Sequence, residues 1–323
     1  MLTKRSESDR IKEKTRGDLM KKIYRLTPAL KDNIWGGNKL REYGKSSDKD
    51  RIAESWELSF TMGGEAKIED GRQMTEAFPK SIWGDACQKF HAFPVLTKFI
   101  DAKDKLSVQV HPSDEYALEN EGQFGKTEMW YVVDAEEGAG LYMGLERECD
   151  KDEFAKAVSD GSVENLLSFK TVKPGDVYFI PSGTIHAIGA GVVIFEIQQN
   201  STLTYRLYDY MRRDNEGNLR ELHVDKAMKV SLLEPYKESV FDNSDENVIG
   251  KCEYFETRKY QLNFTKIDFN VEKDSYLSIT CVKGEGTIEG EKISLGDTFF
   301  IPAGAGEIAV EGNLEIIAVK TPM

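Results

Sequence analysis

A single frame of residues occurs twice in this chain, and it limits the possible folds more than any other feature. Gly175-Asp-Val-Tyr-Phe-Ile-Pro-Ser-Gly-Thr-Ile-His186 reads as a turn (Lys173 to Asp176), a short apolar strand (Val177 to Ile180) and a second turn at Pro181-Ser-Gly183, with a histidine following at once. Gly296-Asp-Thr-Phe-Phe-Ile-Pro-Ala-Gly-Ala-Gly-Glu307 repeats the frame with glutamate in the histidine's place. A strand bounded by two turns delivers the next side chain to a fixed position, which a metal ligand needs. Two copies, one ending in a ligand and one not, imply duplicated small β-barrels of which one is chemically armed.

The rest of the chain fits that frame. Short runs rich in β-branched and aromatic residues predict strands at 51–59, 95–100, 106–111, 128–133, 192–198 and 203–208. A second β-rich unit follows, with strands at 260–264, 276–282, 287–288, 297–301 and 314–319. In the strand at 51–59, Ile52, Glu54, Trp56 and Leu58 are expected on one side. Helices are few: a short one at 81–89, one starting at 150 with Asp150 as N-cap and Glu153 three residues on, another at 163–167, and one near 223–235. They look inserted rather than alternating with strands, which argues against a doubly wound sheet. The expected class is mainly β, two jelly-roll barrels with a small helical insertion at about 150–170. Residues 1–22 form a charged arm unable to build a core, 23–240 the armed barrel, and 241–323 a barrel lacking metal ligands.

A length of 323 residues suits about two domains. The net charge of −13 repels phosphate backbones and anionic lipid, so neither nucleic acid nor membrane is expected as a partner. A small phosphorylated substrate stays open, because a few local cations suffice to hold one. The four cysteines are scattered without a C-x-x-C pair, and no run approaches the length of a membrane span or a leader's apolar core. A cytoplasmic protein, monomer or homodimer, is expected.

Strand alternation locates a candidate site. In Leu106-Ser-Val-Gln-Val-His111, Ser107, Gln109 and His111 share one face; farther on, Lys126, Glu128 and Trp130 share another. A Gln-x-His pair alone is no more than a polar strand face. Joined to Glu128 and His186, it makes a nitrogen and oxygen donor set suited to a divalent metal of zinc type with positions left open.

The string Gly-x5-Pro-x-Gly-x2-His (Gly175, Pro181, Gly183, His186) resembles the second cupin motif, and Gln109-Val-His111 loosely resembles the first. Leu106-Ser-Val-Gln-Val-His-Pro112, Gly125-Lys-Thr-Glu-Met-Trp130 and Gln199-Asn-Ser-Thr-Leu-Thr-Tyr-Arg206 resemble type I mannose-6-phosphate isomerases, most closely the short bacterial form. The resemblance runs from about Tyr24 to the end. It implies one zinc ion per chain on Gln109, His111, Glu128 and His186. It also implies active-site roles for Lys126, Glu196 and Arg206, and substrate contacts from Ser107, Lys126 and Arg206. The implied reaction interconverts mannose 6-phosphate and fructose 6-phosphate through a cis-enediol. An iron oxygenase of the same superfamily would favour three histidines and a glutamate, against which Gln109 speaks; a sugar-binding bicupin without turnover is the third reading. His91, His223 and Glu307 are read as structural.

Overall fold

The computed structural model describes residues 21–213, 216–238 and 245–323. The expected arm lies almost wholly outside them. The described strands lie in three antiparallel sheets, and the protein is mainly β.

A six-stranded sheet runs Ala29–Lys31, Glu54–Leu58, Val95–Ala102, Val192–Gln199, Glu128–Ala135, Val177–Ile180. Its central strand Val192–Gln199 is buried along its whole length because both of its faces are covered. Val193, Phe195 and Ile197 face outward with Val95, Phe99, Met129 and Tyr131, against Phe255, Tyr276, Phe300, Ile317 and Val319 of the C-terminal region. The alternate positions, Ile194 with Ile100, Trp130 and Val132, face Leu141, Met143 and Ile188 of a five-stranded sheet. That sheet runs Tyr205–Tyr208, Val108–Val110, His186–Ile188, Gly140–Leu145, Leu167–Thr171. Its far side carries Val108, Val110, Ala187, Tyr205 and Leu207, on which the helices Lys151–Asp160 and Val224–Val230 pack through Phe154, Ala157 and Ala227. Period-two burial therefore assigns every second residue of two facing sheets to a shared interior.

The third sheet is built on the long strands Glu256–Val271, Leu277–Ile288 and Gly306–Lys320 and encloses its own apolar cluster, including Ile279, Phe299, Ile301, Ile308 and Ile316. The strand Tyr24–Arg25 joins it by pairing with Phe300 and Phe299. We propose the boundary near residue 240 as the division between two barrels, with this first strand lent to the second.

The insertion matches its expectation. Asp150 Oδ1 accepts the Glu153 amide at 2.8 Å, and Gly161 at φ 81° ends the helix Lys151–Asp160. A short 3₁₀ turn at Val163–Leu166 follows. Two expectations need correction. The segment 81–89 makes two 3₁₀ turns, Lys80–Ile82 and Asp85–Cys87, rather than one helix. The Asp85 and Ala86 amides donate instead to Lys273 and Asp274 carbonyls, and a side chain at Gly84 would meet Ser275 Cα at 2.4 Å. Tertiary contact has overridden local propensity. In Glu54–Leu58 the register shifts between Trp56 and Leu58, so Leu58 joins the outward cluster with Ile52 while Glu54 and Trp56 face the interior.

Candidate metal centre and active site

Two rows of inward side chains face each other between the inner sheets. On the five-stranded sheet, Gln109 pairs with His186 on one side and with Arg206 on the other, which sets the three side by side. On the six-stranded sheet, Lys98 is opposite both Trp56 and Glu196, Glu196 is opposite Trp130, and Gln198 is opposite Glu128. His111 and Lys126 complete the wall from the strand ends.

His111, Glu128 and His186 each bring one ligand atom within 4.8 Å of the others, the one such trio among the described residues, and all three are buried. Each imidazole is aimed by its Nδ1–H: His111 donates to Leu203 O and His186 to Thr184 O, both at 2.9 Å. The tautomers leave Nε2 as a lone-pair donor directed inward. His111 Nε2 is 3.5 Å from Glu128 Oε2, and His186 Nε2 is 3.4 Å from Glu128 Oε1. Burial holds His186 down to about 4, and His111 well below its ordinary value, so both rings are neutral near pH 7.

Gln109 Nε2 lies 3.3 Å from His186 Nε2, and Gln109 Oε1 accepts from Ser107 Oγ at 3.3 Å. Half a turn of the amide exchanges its oxygen and nitrogen and would present the carbonyl to the trio. Neither carboxylate oxygen of Glu128 accepts an aligned hydrogen bond among the described residues, although Lys126 Nζ is 2.6 Å from Oε2. Lys126 offsets part of the charge at Oε2, and the carboxylate with two neutral nitrogen donors converging on it makes a donor set that a divalent cation would complete.

Lys126 also lies 3.5 Å from Glu196, and Lys98 lies 3.3 Å from Glu196 and 3.6 Å from Glu54. Burial alone would raise both central carboxyls. It does so for Glu128, whereas the Lys126 and Lys98 charges outweigh it at Glu196 and hold that group ionised. Trp130 Nε1–H donates to Glu196 Oε1 at 3.2 Å.

The cavity, about 170 Å³, is lined by Glu54, Lys98, Ser107, Gln109, Lys126, Trp130, Glu196 and Arg206, and further by Asn33, Trp35, Thr204 and Arg220. It is smaller than the roughly 300–1,000 Å³ of pockets for drug-sized ligands. All eight residues singled out in the sequence lie on this cavity or in the trio beside it. Glu54, Lys98, Trp35 and Arg220 were not singled out. Lys98 carried a readable signal, a lone lysine in the apolar run Val-Leu-Thr-Lys-Phe-Ile, whose charge needs inward partners. His91 stacks on Phe124 and His223 caps the helix Val224–Val230, both outside the trio, and Glu307 is exposed.

Known proteins resemble this chain over most of its length. Residues 23–138 match the model of the phosphomannose isomerase type I catalytic domain, and residues 245–321 match that of the mannose-6-phosphate isomerase cupin domain. A mannose-6-phosphate isomerase of Bacillus subtilis is 37% identical over 307 residues, covering 90% of this chain and 96% of that protein. The crystal structure of a mannose 6-phosphate isomerase from Bacillus subtilis superposes with a TM-score of 0.83 at 32% identity, over 93% of this chain and 99% of that one. A mannose 6-phosphate isomerase bound with zinc and yttrium shares the fold at a TM-score of 0.74 and 15% identity, over 94% and 100% of the two chains.

Proposed function

The chain belongs to the type I mannose-6-phosphate isomerases, and from that premise we propose that it interconverts mannose 6-phosphate and fructose 6-phosphate through a cis-enediol, with one zinc ion per chain held by Gln109, His111, Glu128 and His186. The observation carrying the metal assignment is the convergence of the buried Glu128 carboxylate, whose Oε2 also faces the Lys126 ammonium, with two inward-facing neutral imidazoles whose ligand atoms lie within 4.8 Å of it. Nitrogen and oxygen donors without thiolate suit zinc, and a structural relative of the same fold was bound with zinc and yttrium. Bound there, a divalent ion would supply positive charge beside the sugar's reacting oxygens.

The reaction moves a proton from C2 of the aldose to C1 of the ketose while a hydroxyl proton passes from O2 to O1. One group must carry the carbon-bound proton, and cations must oppose the charge that grows on the oxygens. Among the cavity's central carboxylates, Glu196 is the one the lysines keep ionised, so it is able to accept that proton. Lys126 stands between Glu128 and Glu196 and presents its ammonium where the enediolate charge develops. Arg206 reaches Ser107 Oγ through Nε at 3.3 Å, and Ser107 in turn bonds Gln109, so the guanidinium is tied to the metal wall while lining the cavity. Ser107, Lys126 and Arg206 thus form the substrate-binding side.

None of the four cysteines pairs with another among the described residues, which suits a reducing compartment such as the cytoplasm; burial pushes the Cys87 thiol up to about 11 and that of Cys281 up to about 12, which keeps both unreactive. No described helix is long and apolar enough to cross a membrane.

The deciding experiment incubates purified protein with zinc and couples fructose 6-phosphate formation to a dehydrogenase signal. Absence of product, under conditions where a known isomerase turns over, refutes the proposal. Arg206→Ala is expected to keep its metal, read by plasma mass spectrometry, while losing roughly a hundredfold in kcat/KM. Metal loss in that variant would make Arg206 part of the scaffold.

A further inference from the structure

Beyond Tyr208 the chain makes a loop whose construction the proposed chemistry leaves unexplained. Tyr210 and Met211 both sit at positive φ, 55° and 54°, although neither is glycine. The loop returns through a bridge between Arg213 and Leu219, and Arg220 comes to rest beside Asp209. Glu221 O then accepts Arg206 Nη1 at 2.8 Å, and the His223 amide donates to Arg206 O at 2.7 Å. The loop is therefore laced onto the strand that carries Arg206.

At its centre is Asp209, whose side chain is 5% exposed. Arg212 bonds this carboxylate, donates to Lys105 O and stacks on the Tyr210 ring at 5.1 Å. Arg212 alone would neutralise Asp209. A second guanidinium is nonetheless held there, with Arg220 Nη1 at 3.3 and 3.4 Å from the two carboxylate oxygens. Arg220 lines the cavity together with Arg206, and Arg212 does not. The nearby Glu221 carboxylate cannot compensate, since its side chain is 84% exposed.

Two guanidiniums, Arg212 and Arg220, thus share one buried carboxylate, and Arg206 lines the same cavity as Arg220, in a protein whose net charge is −13. Two like charges at one cavity wall cost free energy until an anion arrives, and the proximity registers at Arg206, which burial and then Arg220 lower. The other wall has the opposite balance, with Glu54, Glu128 and Glu196 against Lys98 and Lys126. The cavity is polarised: the carboxylates come from the six-stranded sheet, while Arg206 and Arg220, with Asp209 the one buried carboxylate beside Arg220, come from the side of the five-stranded sheet.

We propose that Arg220 is a substrate-binding residue, the second arm of a guanidinium clamp with Arg206 that takes the phosphate dianion, and that Asp209 is the buried post that aims it. The proposal rests on the sugar-phosphate reading of the cavity and adds to it which way round the substrate lies, with C1 and C2 toward Glu128 and Glu196 and the phosphate toward Arg206 and Arg220. Paired arginine forks suit a tetrahedral dianion better than lone ammonium groups do.

Inorganic phosphate is the direct probe, titrated calorimetrically into metal-loaded enzyme at fixed ionic strength. R220Q is expected to weaken phosphate binding and to raise KM for mannose 6-phosphate by about tenfold each, with kcat within about threefold and metal content unchanged; R220K recovers part of the loss. Equal phosphate affinity in wild type and R220Q, or no binding by wild type, overturns the clamp. A wild type labelled with nitrogen-15 arginine covers the case of an unstable variant: phosphate must shift the Arg220 Nε resonance, and an unmoved resonance also overturns it. Phosphate binding through Arg220 without fructose 6-phosphate formation refutes the isomerase reading alone. Normal turnover with phosphate affinity indifferent to R220Q refutes the clamp alone.

Discussion

Gly175–His186 and Gly296–Glu307 share their turn hydrogen bonds one for one. Asp176 donates to Lys173 O at 3.2 Å and accepts the Lys173 amide at 3.0 Å; Asp297 does the same with Ser294, at 2.9 Å both ways. The second turns close through Thr184 to Pro181 and Ala305 to Pro302, each at 3.2 Å. The difference lies in what stands across from the last residue. His186 pairs with Gln109 and faces Glu128 from a buried position. Glu307 pairs with the exposed Asn270 on the long outer strand, and the interior behind it is filled by Ile279, Ile301, Ile308 and Ile316. The frame makes a barrel corner; chemistry requires a polar opposite wall as well.

The sharpest way to break that contrast is to disarm the first copy. His186→Ala removes a nitrogen donor from a trio with no described substitute, so metal content and activity should fall together, kcat/KM by roughly a thousandfold or more. Plasma mass spectrometry beside the coupled assay reads both. A variant that keeps its metal and most of its turnover would show that His186, like Glu307, is only a corner residue.

This contrast also marks how far the sequence could be read. The frame, its duplication and the alternation that puts Ser107, Gln109 and His111 on one face are local properties, and the strands follow them. Lys126, Glu196 and Arg206 were reached through resemblance, because register between strands distant in sequence decides that they meet. Arg220 gave no signal: its place depends on a loop closing onto Asp209, a contact with no periodicity behind it. The expected helix at 81–89 failed for a related reason, since its amides are bound by Lys273 and Asp274, nearly two hundred residues away. Local patterns reveal faces; long-range closure decides neighbours.

A second asymmetry lies where the later frame meets the six-stranded sheet. Lys45 Nζ is 2.7 Å from Glu57 Oε1 and 2.6 Å from Gly296 O, while Glu57 Oε1 also accepts Ser55 Oγ at 2.6 Å and Oε2 accepts Thr298 Oγ1 at 3.2 Å. Both side chains are buried. Removing one partner strands a buried charge, so Lys45→Ala should cost about 3–5 kcal/mol in denaturant unfolding. Lys45→Met with Glu57→Gln should recover much of it, because the charge is then gone from both sides. Metal content should not change in either. A loss below about 1 kcal/mol would mean that the ion pair is wetter than its burial implies.

The smallest effect separates the two frames at their first glycines. Gly175 and Gly296 have nearly the same backbone, φ 96° and 91°, so a side chain is strained at either. Their surroundings differ. A Cβ on Gly175 would find nothing nearer than Tyr131 Oη at 4.0 Å, whereas one on Gly296 would meet Tyr43 O at 2.1 Å. Gly175→Ala should therefore cost the conformational term alone, about 1–2 kcal/mol. Gly296→Ala adds displacement of the Tyr43 backbone and should cost distinctly more, by about 1 kcal/mol or above. Unfolding midpoints of the two variants measure the difference directly. Equal losses would mean that the second barrel yields around Tyr43 as easily as the first frame's open surroundings allow, and the close seating of the later frame would then contribute nothing to stability.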